Sequence, residues 1–375
     1  MGRKITCVVG TRPEAIKMAP VILSLRAKGF GVTVLSTGQH SEMLRQALLF
    51  FGIRPDVDLS IMKDRQTLDH ITSEVIGGTG RFLDGRETQD LVLVHGDTTT
   101  TMAACLAAFY RHIPVGHVEA GLRSHDLDRP FPEEANRIIT DRLSSLWFAP
   151  TEKAAENLRI EGLAQRPGTL YVTGNTVIDA LQWTLARKHE ICASLRPLEQ
   201  FSGPMVLMTA HRRESWGQPL EEICSAILDI LRWNGEVRFL IPLHKNPLVR
   251  EVIEARLAGE ERVILCEPLD YPDFIWAMNR SVLILSDSGG VQEEASGLKK
   301  AVLVMRDLSE RPEALETGTA LLVGTSRERI RDSAIRILSD DAFREGLLNR
   351  GENPFGAGTA AARIVRATSS YFGTD

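Results

Sequence analysis

The sequence predicts an α/β protein built as two domains, each a parallel sheet covered by helices. Three observations lead there. Apolar runs alternate with helical periodicity almost throughout, the alternation falls into two separate series, and each series holds a glycine-bearing turn between an apolar run and a helical pattern. At 375 residues the chain exceeds one ordinary core and fits two domains of normal size.

The first series of strand-like runs is Ile5 to Val9, Val32 to Ser36, Leu91 to His95, Val115 to Val118 and Leu146 to Ala149, each followed by a helical segment. Such alternation implies a parallel sheet covered on both faces. A second series opens after Gly203-Pro204 with Met205 to Thr209, Phe239 to Leu243, Val263 to Cys266, Val282 to Ser286 and Ala301 to Met305. The join is expected near Gly174, because a helix from Thr176 to about Lys188 leads into the Pro197 to Pro204 breaker region. Domains of 1–174 and 175–357 follow. The stretch Ala360 to Tyr371 is helical in pattern, follows the Gly351 to Gly358 turn cluster, and could cap either domain.

Composition removes several function classes. With 44 basic against 49 acidic residues the net charge is -5, which gives no electrostatic footprint for nucleic acid. Cys7, Cys105, Cys192, Cys224 and Cys266 lie scattered in or beside apolar segments without a Cys-x-x-Cys pair, as expected of buried thiols in a reducing compartment. Arg3-Lys4 runs straight into Ile5 to Val9, too short for a signal peptide, and no apolar run approaches a membrane span. The expected location is the cytoplasm.

Two turns suggest a phosphorylated substrate. Asp287-Ser288-Gly289-Gly290 follows the run ending at Ser286, so Ser288, Gly289 and Gly290 would occupy the first turn of a helix, where backbone N–H groups and the helix dipole favour a diphosphate. Glu294, one turn further, is placed to accept from ribose hydroxyls. A glycine turn can also serve only tight strand–helix packing. Near the start, Gly10-Thr11-Arg12-Pro13-Glu14 adds a cation, Arg12, to the same kind of turn. No Gly-x-x-x-x-Gly-Lys-Ser/Thr loop is present and no strand leads into Gly-x-Gly-x-x-Gly, which argues against triphosphate hydrolysis and nicotinamide chemistry.

Three acids follow strands or enter helices of the first domain: Asp97 after His95, Glu119 after Val118, and Glu133 in Arg129-Pro130-Phe131-Pro132-Glu133. Each alone reads as a helix cap or ion pair, Asp97 most clearly since it precedes Thr98 to Thr101. Their shared place at one sheet edge favours acid–base chemistry. His211 follows the strand Met205 to Thr209, backed by Arg212 and Arg213, and His244 takes the equivalent spot one strand later. Either suits anion contact or proton transfer, or is structural; His40 in Gly38-Gln39-His40 is similar. Asp97, Glu119 and Glu133 lack any diagnostic metal-ligand spacing, so neither a metal nor another cofactor is expected.

These motifs together resemble the non-hydrolysing UDP-N-acetylglucosamine 2-epimerases. The likeness runs nearly end to end, through Gly10-Thr11-Arg12-Pro13-Glu14-Ala15-Ile16-Lys17, His95-Gly96-Asp97-Thr98-Thr99-Thr100, His117-Val118-Glu119-Ala120-Gly121-Leu122-Arg123, Phe131-Pro132-Glu133-Glu134-Ala135-Asn136-Arg137, His211-Arg212-Arg213-Glu214 and Ser286-Asp287-Ser288-Gly289-Gly290-Val291-Gln292-Glu293-Glu294. The resemblance implies a glycosyltransferase-B-like fold of two Rossmann-type domains with the active site in the interdomain cleft, a C-terminal helix (about 358–375) crossing back onto the first domain, and a homodimer. It implies interconversion of UDP-N-acetylglucosamine and UDP-N-acetylmannosamine, by anti elimination of UDP to 2-acetamidoglucal and re-addition. Asp97, Glu119 and Glu133 match the catalytic acids and His211 the histidine near the diphosphate. Arg12 and Lys17 match first-domain binding positions, while Phe274, Ser288, Gly289, Gly290, Glu294 and Arg311 match uridine, phosphate and ribose contacts. In bacterial members a second UDP-N-acetylglucosamine can bind as activator near Gln39, His40, Arg212 and His244; here Ser41-Glu42 stands where many members carry a basic residue. The rival activities are a hydrolysing 2-epimerase releasing N-acetylmannosamine and UDP, an epimerase for a UDP-diacetamido-uronic acid, and a non-catalytic UDP-sugar sensor.

Overall fold

The computed structural model describes residues 2–38, 41–63, 66–85, 87–163, 165, 167–212, 215–307, 311–349 and 351–374, the side chain of Ser41 excepted. The chain forms two compact units, residues 1–183 with 355–375, and residues 184–354.

In chain order the first unit contains β1 (Lys4–Val9), α1 (Arg12–Lys28), β2 (Gly31–Ser36), α2 (Ser41–Phe50), β3 (Val57–Asp58), α3 (Leu68–Leu83), β4 (Leu91–His95), α4 (Thr99–Phe109), β5 (Val115–Val118), α5 (Glu133–Leu143), β6 (Leu146–Ala149), α6 (Glu152–Ile160), β7 (Leu170–Val172) and α7 (Thr176–Leu185). The second holds α8 (Arg196–Glu199), β8 (Met205–Thr209), α9 (Gln218–Trp233), β9 (Arg238–Pro242), α10 (Pro247–Leu257), β10 (Val263–Cys266), α11 (Tyr271–Arg280), β11 (Leu283–Ser286), α12 (Gly289–Leu298), β12 (Ala301–Val304), α13 (Pro312–Glu316), β13 (Ala320–Leu322), α14 (Arg327–Ser339) and α15 (Asp341–Leu348). α16 (Ala360–Phe372) returns to the first unit.

The first sheet has the order β3-β2-β1-β4-β5-β6-β7 and the second β10-β9-β8-β11-β12-β13, with parallel pairing throughout. The winding therefore reverses between β1 and β4 in one sheet and between β8 and β11 in the other. Those are the crevices where open parallel sheets take ligands. The central strands are buried over most of their length, β4 from Leu91 to His95 without a break, which is why they read as continuous apolar runs. Val92 and Val94 pack with Val75, Ala104 and Cys105 on one face of the first sheet. In the second unit Val206, Phe239 and Leu285 pack with Ile223, Ile227 and Ile230 of α9. The edge strands β3, β7 and β13 are two or three residues long and were not anticipated; short edges limit pairing with other chains.

The division falls in the last turn of α7 and not near Gly174. Asp179 on α7 explains the difference: its carboxylate accepts from the N–H groups of Ala360 and Ala361 at 3.1 and 2.9 Å, fastening α7 to the start of α16. The Trp183 ring packs tilted against that of Phe51, also in the first unit, with centroids 4.6 Å apart. At the far end of α16, Phe372 lies under the Arg3 guanidinium at 4.9 Å, and α16 packs along α1. Cys7, Cys105, Cys192, Cys224 and Cys266 are free thiols, all but Cys192 buried.

Candidate functional site

In the first unit α1, the end of β4 and the segment after β7 converge on a buried carboxylate, Glu119, which follows β5. Its Oε2 lies 2.5 Å from Lys17 Nζ on α1, 2.9 Å from Asn175 Nδ2 and 3.6 Å from His95 Nε2 at the end of β4. The Lys17 and Glu119 side chains are 9% and 7% exposed, so this ion pair is shielded from water. Glu119 also holds a left-handed backbone, φ 69°, where a non-glycine residue is strained. A neighbouring network sets that turn. His117 and Asp141 are fully buried, with Nδ1 2.7 Å from the Asp141 carboxylate and Nε2 2.7 Å from the Gly96 carbonyl. Because a carbonyl only accepts, Nε2–H donates to Gly96, the residue before Asp97. Burial alone would raise the Asp141 carboxyl, but His117 and Arg123 outweigh it and hold it below the usual carboxylate range. Asp141 further accepts from the Gly121 N–H, and Gly121 has no substitute: an added Cβ would stand 2.1 Å from the Ala154 carbonyl oxygen.

Asp97 is not the cap of α4. Thr98 is, accepting from the Thr101 N–H at 3.2 Å, which leaves the Asp97 carboxylate to pair with Arg137 of α5 at 2.5 Å. Arg137 in turn bridges to Glu134. Glu133 opens α5 and so faces its helix dipole. Arg12 occupies the equivalent position on α1, half-buried.

The turn after β1 differs from its sequence reading. Glu14 folds back into the α1 N-terminus, accepting from the Gly10 N–H and from the Thr11 N–H at 2.8 Å, while its second oxygen accepts from Thr98 and Thr101 hydroxyls. The backbone donors of Gly10 and Thr11 are thus taken by the protein's own carboxylate, and this turn is not a bare anion cradle. Gly10 is required by packing: a Cβ would meet Thr100 Oγ1 at 2.4 Å.

In the second unit the reversal point between β8 and β11 carries the other group. The α12 N-terminus has no side-chain cap and no acidic residue in its first turn, and a Cβ added at Gly290 would meet nothing within 4 Å. Tight packing therefore does not account for Gly290. Buried Asp287 faces His211 Nδ1 at 2.8 Å and accepts from the His211 and Arg212 N–H groups, each at 2.9 Å. Its burial pushes upward, but the His211 ring and these donors prevail and keep the carboxyl below the usual range. The His244 ring lies 6.2 Å from that of His211; partial burial, then His211, lowers its pKa. Asn246 N–H donates to His244 Nδ1. Glu294 is buried on α12, and Phe274 is half-buried on α11, which packs against α12. Arg311 meets Glu293 at 2.5 Å, a partner the sequence reading passed over in favour of Glu294. Asp287, Asn175 and Arg137 were likewise missed; each acts by holding a residue that was named, and only Asp287 had a visible signal, its place directly after β11. Gln39 and His40 lie outside the described residues. Among the described residues no group of three or more His, Cys, Asp or Glu is arranged to hold a metal, and no helix is long and apolar enough to cross a membrane.

A family model described as UDP-N-acetylglucosamine 2-epimerase matches residues 24–369. The chain belongs to that family. It is 48% identical to the UDP-N-acetylglucosamine 2-epimerase of Salmonella typhimurium over 98% of this chain and 99% of the relative. The structure of the UDP-GlcNAc 2-epimerase from Neisseria meningitidis, bound to UDP-GlcNAc, superposes with a TM-score of 0.90 at 45% identity, covering 98% and 100% of the two chains. The glycotransferase of kitacinnamycin shares the fold alone, at 13% identity and a TM-score of 0.63 over 98% and 99%. Family membership makes the chain an epimerase, an isomerase of nucleotide sugars, on a glycosyltransferase-B-like fold.

Proposed function

We propose that the chain reversibly epimerises UDP-N-acetylglucosamine at C2, giving UDP-N-acetylmannosamine without net hydrolysis. The proton at C2 is too weakly acidic for simple removal, so UDP leaves from C1 by anti elimination, 2-acetamidoglucal forms, and UDP adds back as a proton reaches the other face of C2. Asp97, Glu119 and Glu133 supply the acid–base groups, with no one of them assigned as the C2 base. Arg12 and Lys17 bind substrate in the first unit. In the second, Ser288, Gly289 and Gly290 take the diphosphate, Glu294 the ribose, Phe274 the uracil, and Arg311 the nucleotide beside Glu293. The observation that carries the reading is the open α12 N-terminus with His211 beside it, because a leaving diphosphate needs both N–H donors and a proton source. A homodimer, activation by a second UDP-N-acetylglucosamine at Arg212 and His244, and supply of a surface-polysaccharide precursor complete the proposal.

Incubation with UDP-N-acetylglucosamine in deuterated water tests it. Deuterium at C2 of a product still carrying UDP is the expected result. Free N-acetylmannosamine with UDP as the main products would favour the hydrolysing reaction, and no exchange at all would favour a sensor.

A further inference from the structure

We propose that Asp287 is the positioning residue that fixes His211 in one tautomer, so that Nε2 can give a proton to the leaving diphosphate and take it back. This rests on the reading above, in which His211 serves the nucleotide. Asp287 is wholly buried, and among the described residues its Oδ2 is hydrogen-bonded while Oδ1 has an ion-pair contact alone. Oδ2 accepts from the His211 N–H at 2.9 Å, the Arg212 N–H at 2.9 Å and Ser215 Oγ at 3.2 Å. Oδ1 faces His211 Nδ1 at 2.8 Å. The charged or titratable groups around the ring are Asp287 before α12, His244 after β9 and the adjoining Arg212; residues 213 and 214 lie outside the described residues.

An ionised carboxylate only accepts, so Nδ1 carries a proton and Nε2 is the nitrogen that changes state. As the C1–O bond breaks, its electron pair stays on the β-phosphate oxygen. That oxygen receives the Nε2 proton, and the ring becomes neutral. On re-addition the oxygen attacks C1 and its proton returns to Nε2, so protons and charge balance over the cycle.

The substitution Asp287→Asn separates this role from plain support. The three donors at Oδ2 still require an oxygen there, so the new amide must turn its NH2 toward Nδ1. Nδ1 becomes an acceptor, and the neutral ring then carries its proton on Nε2. Such a ring still donates to phosphate but can no longer take up a proton in its neutral form. Nitrogen-15 NMR of the histidines should find the neutral His211 ring protonated at Nδ1 in the parent and at Nε2 in D287N. UDP affinity, by calorimetry, should stay within about tenfold, whereas exchange of the C2 proton with solvent should fall roughly 10²–10⁴-fold. A residue acting through His211 makes D287N/H211Q no slower than H211Q, within about threefold, while losses that multiply would overturn the proposal. Should D287N not fold, the parent spectrum still decides: a neutral ring protonated at Nε2 sinks the inference. The parent's own C2 exchange keeps the two readings apart, since its absence defeats the epimerase reading, and its presence with the wrong tautomer defeats only the role of Asp287.

Discussion

Replacing Lys17 by methionine would leave the Glu119 carboxylate buried without its ammonium, 2.5 Å away in the parent. Removing one member of a buried pair costs about 3–5 kcal/mol, because the remaining charge keeps its desolvation penalty and loses its partner. Asn175 still donates to Glu119 at 2.9 Å, which puts Lys17→Met near the lower end, about 3 kcal/mol. Glu119→Gln removes the carboxylate that faces the buried ammonium instead and should cost a similar amount. The double variant buries no charge at this position, so its stability should return to within about 1 kcal/mol of the parent. Urea unfolding of the four proteins gives the cycle. C2 exchange should behave differently, since both variants lacking the carboxylate lose the acid–base group and the double variant stays inactive despite its recovered stability. Stabilities that add within about 0.5 kcal/mol would show that the two residues share no buried pair, and would refute the reasoning.

Other expectations follow from the same geometry. Gly290→Asp puts a carboxylate at the open α12 N-terminus; UDP affinity should drop by several kcal/mol, roughly a hundredfold or more, and unchanged calorimetric affinity would discard the diphosphate assignment. Asp97→Asn removes the charge facing Arg137 and should slow C2 exchange about 10²–10⁴-fold while UDP affinity is kept; near-normal exchange would make Asp97 a structural partner of α5. The depressed carboxyl of Asp141 contributes stability that is present above the unfolded value of about 3.9 and lost as pH falls through its lower folded value, so Asp141→Asn should flatten the acid limb of the pH–stability curve, and an unaltered limb would count against the buried network.

The parallel architecture was legible because buried strands must be apolar on both faces, and β1, β4 and β11 are. The short edges β3, β7 and β13 carry too few residues for a period to show, and the position of α7 depends on Asp179 reaching residues far along the chain. For the site, Asp97, Glu119, His211 and His244 sit just past strand ends, as their spacing implied, while Glu133 opens α5. Their partners were opaque because each contact joins residues distant in sequence, as Lys17 to Glu119, Asn175 to Glu119 and Asp97 to Arg137 do. Helix entry misled at Asp97, where the following Thr98 is the cap.

The two glycine-bearing turns look alike in sequence and are opposite in electrostatics. At α1 the carboxylate of Glu14 fills the helix N-terminus, and through Thr98 and Thr101 it also ties the turn after β1 to the turn after β4, across the reversal point of the first sheet. A negative charge already satisfied there disfavours a phosphate at those donors and fixes the loops that carry Arg12 and Asp97. At α12 the corresponding position holds Val291 and the first turn carries no acid, and the nearby carboxylate, Asp287, is turned away into the His211 loop. A dipole end left uncompensated by the fold attracts an anion from outside. The same turn is therefore closed by the protein's own carboxylate in one unit and carries no first-turn acid in the other, which suits the proposed diphosphate site, and the residue that decides between them is the one three places into the helix, Glu14 or Val291.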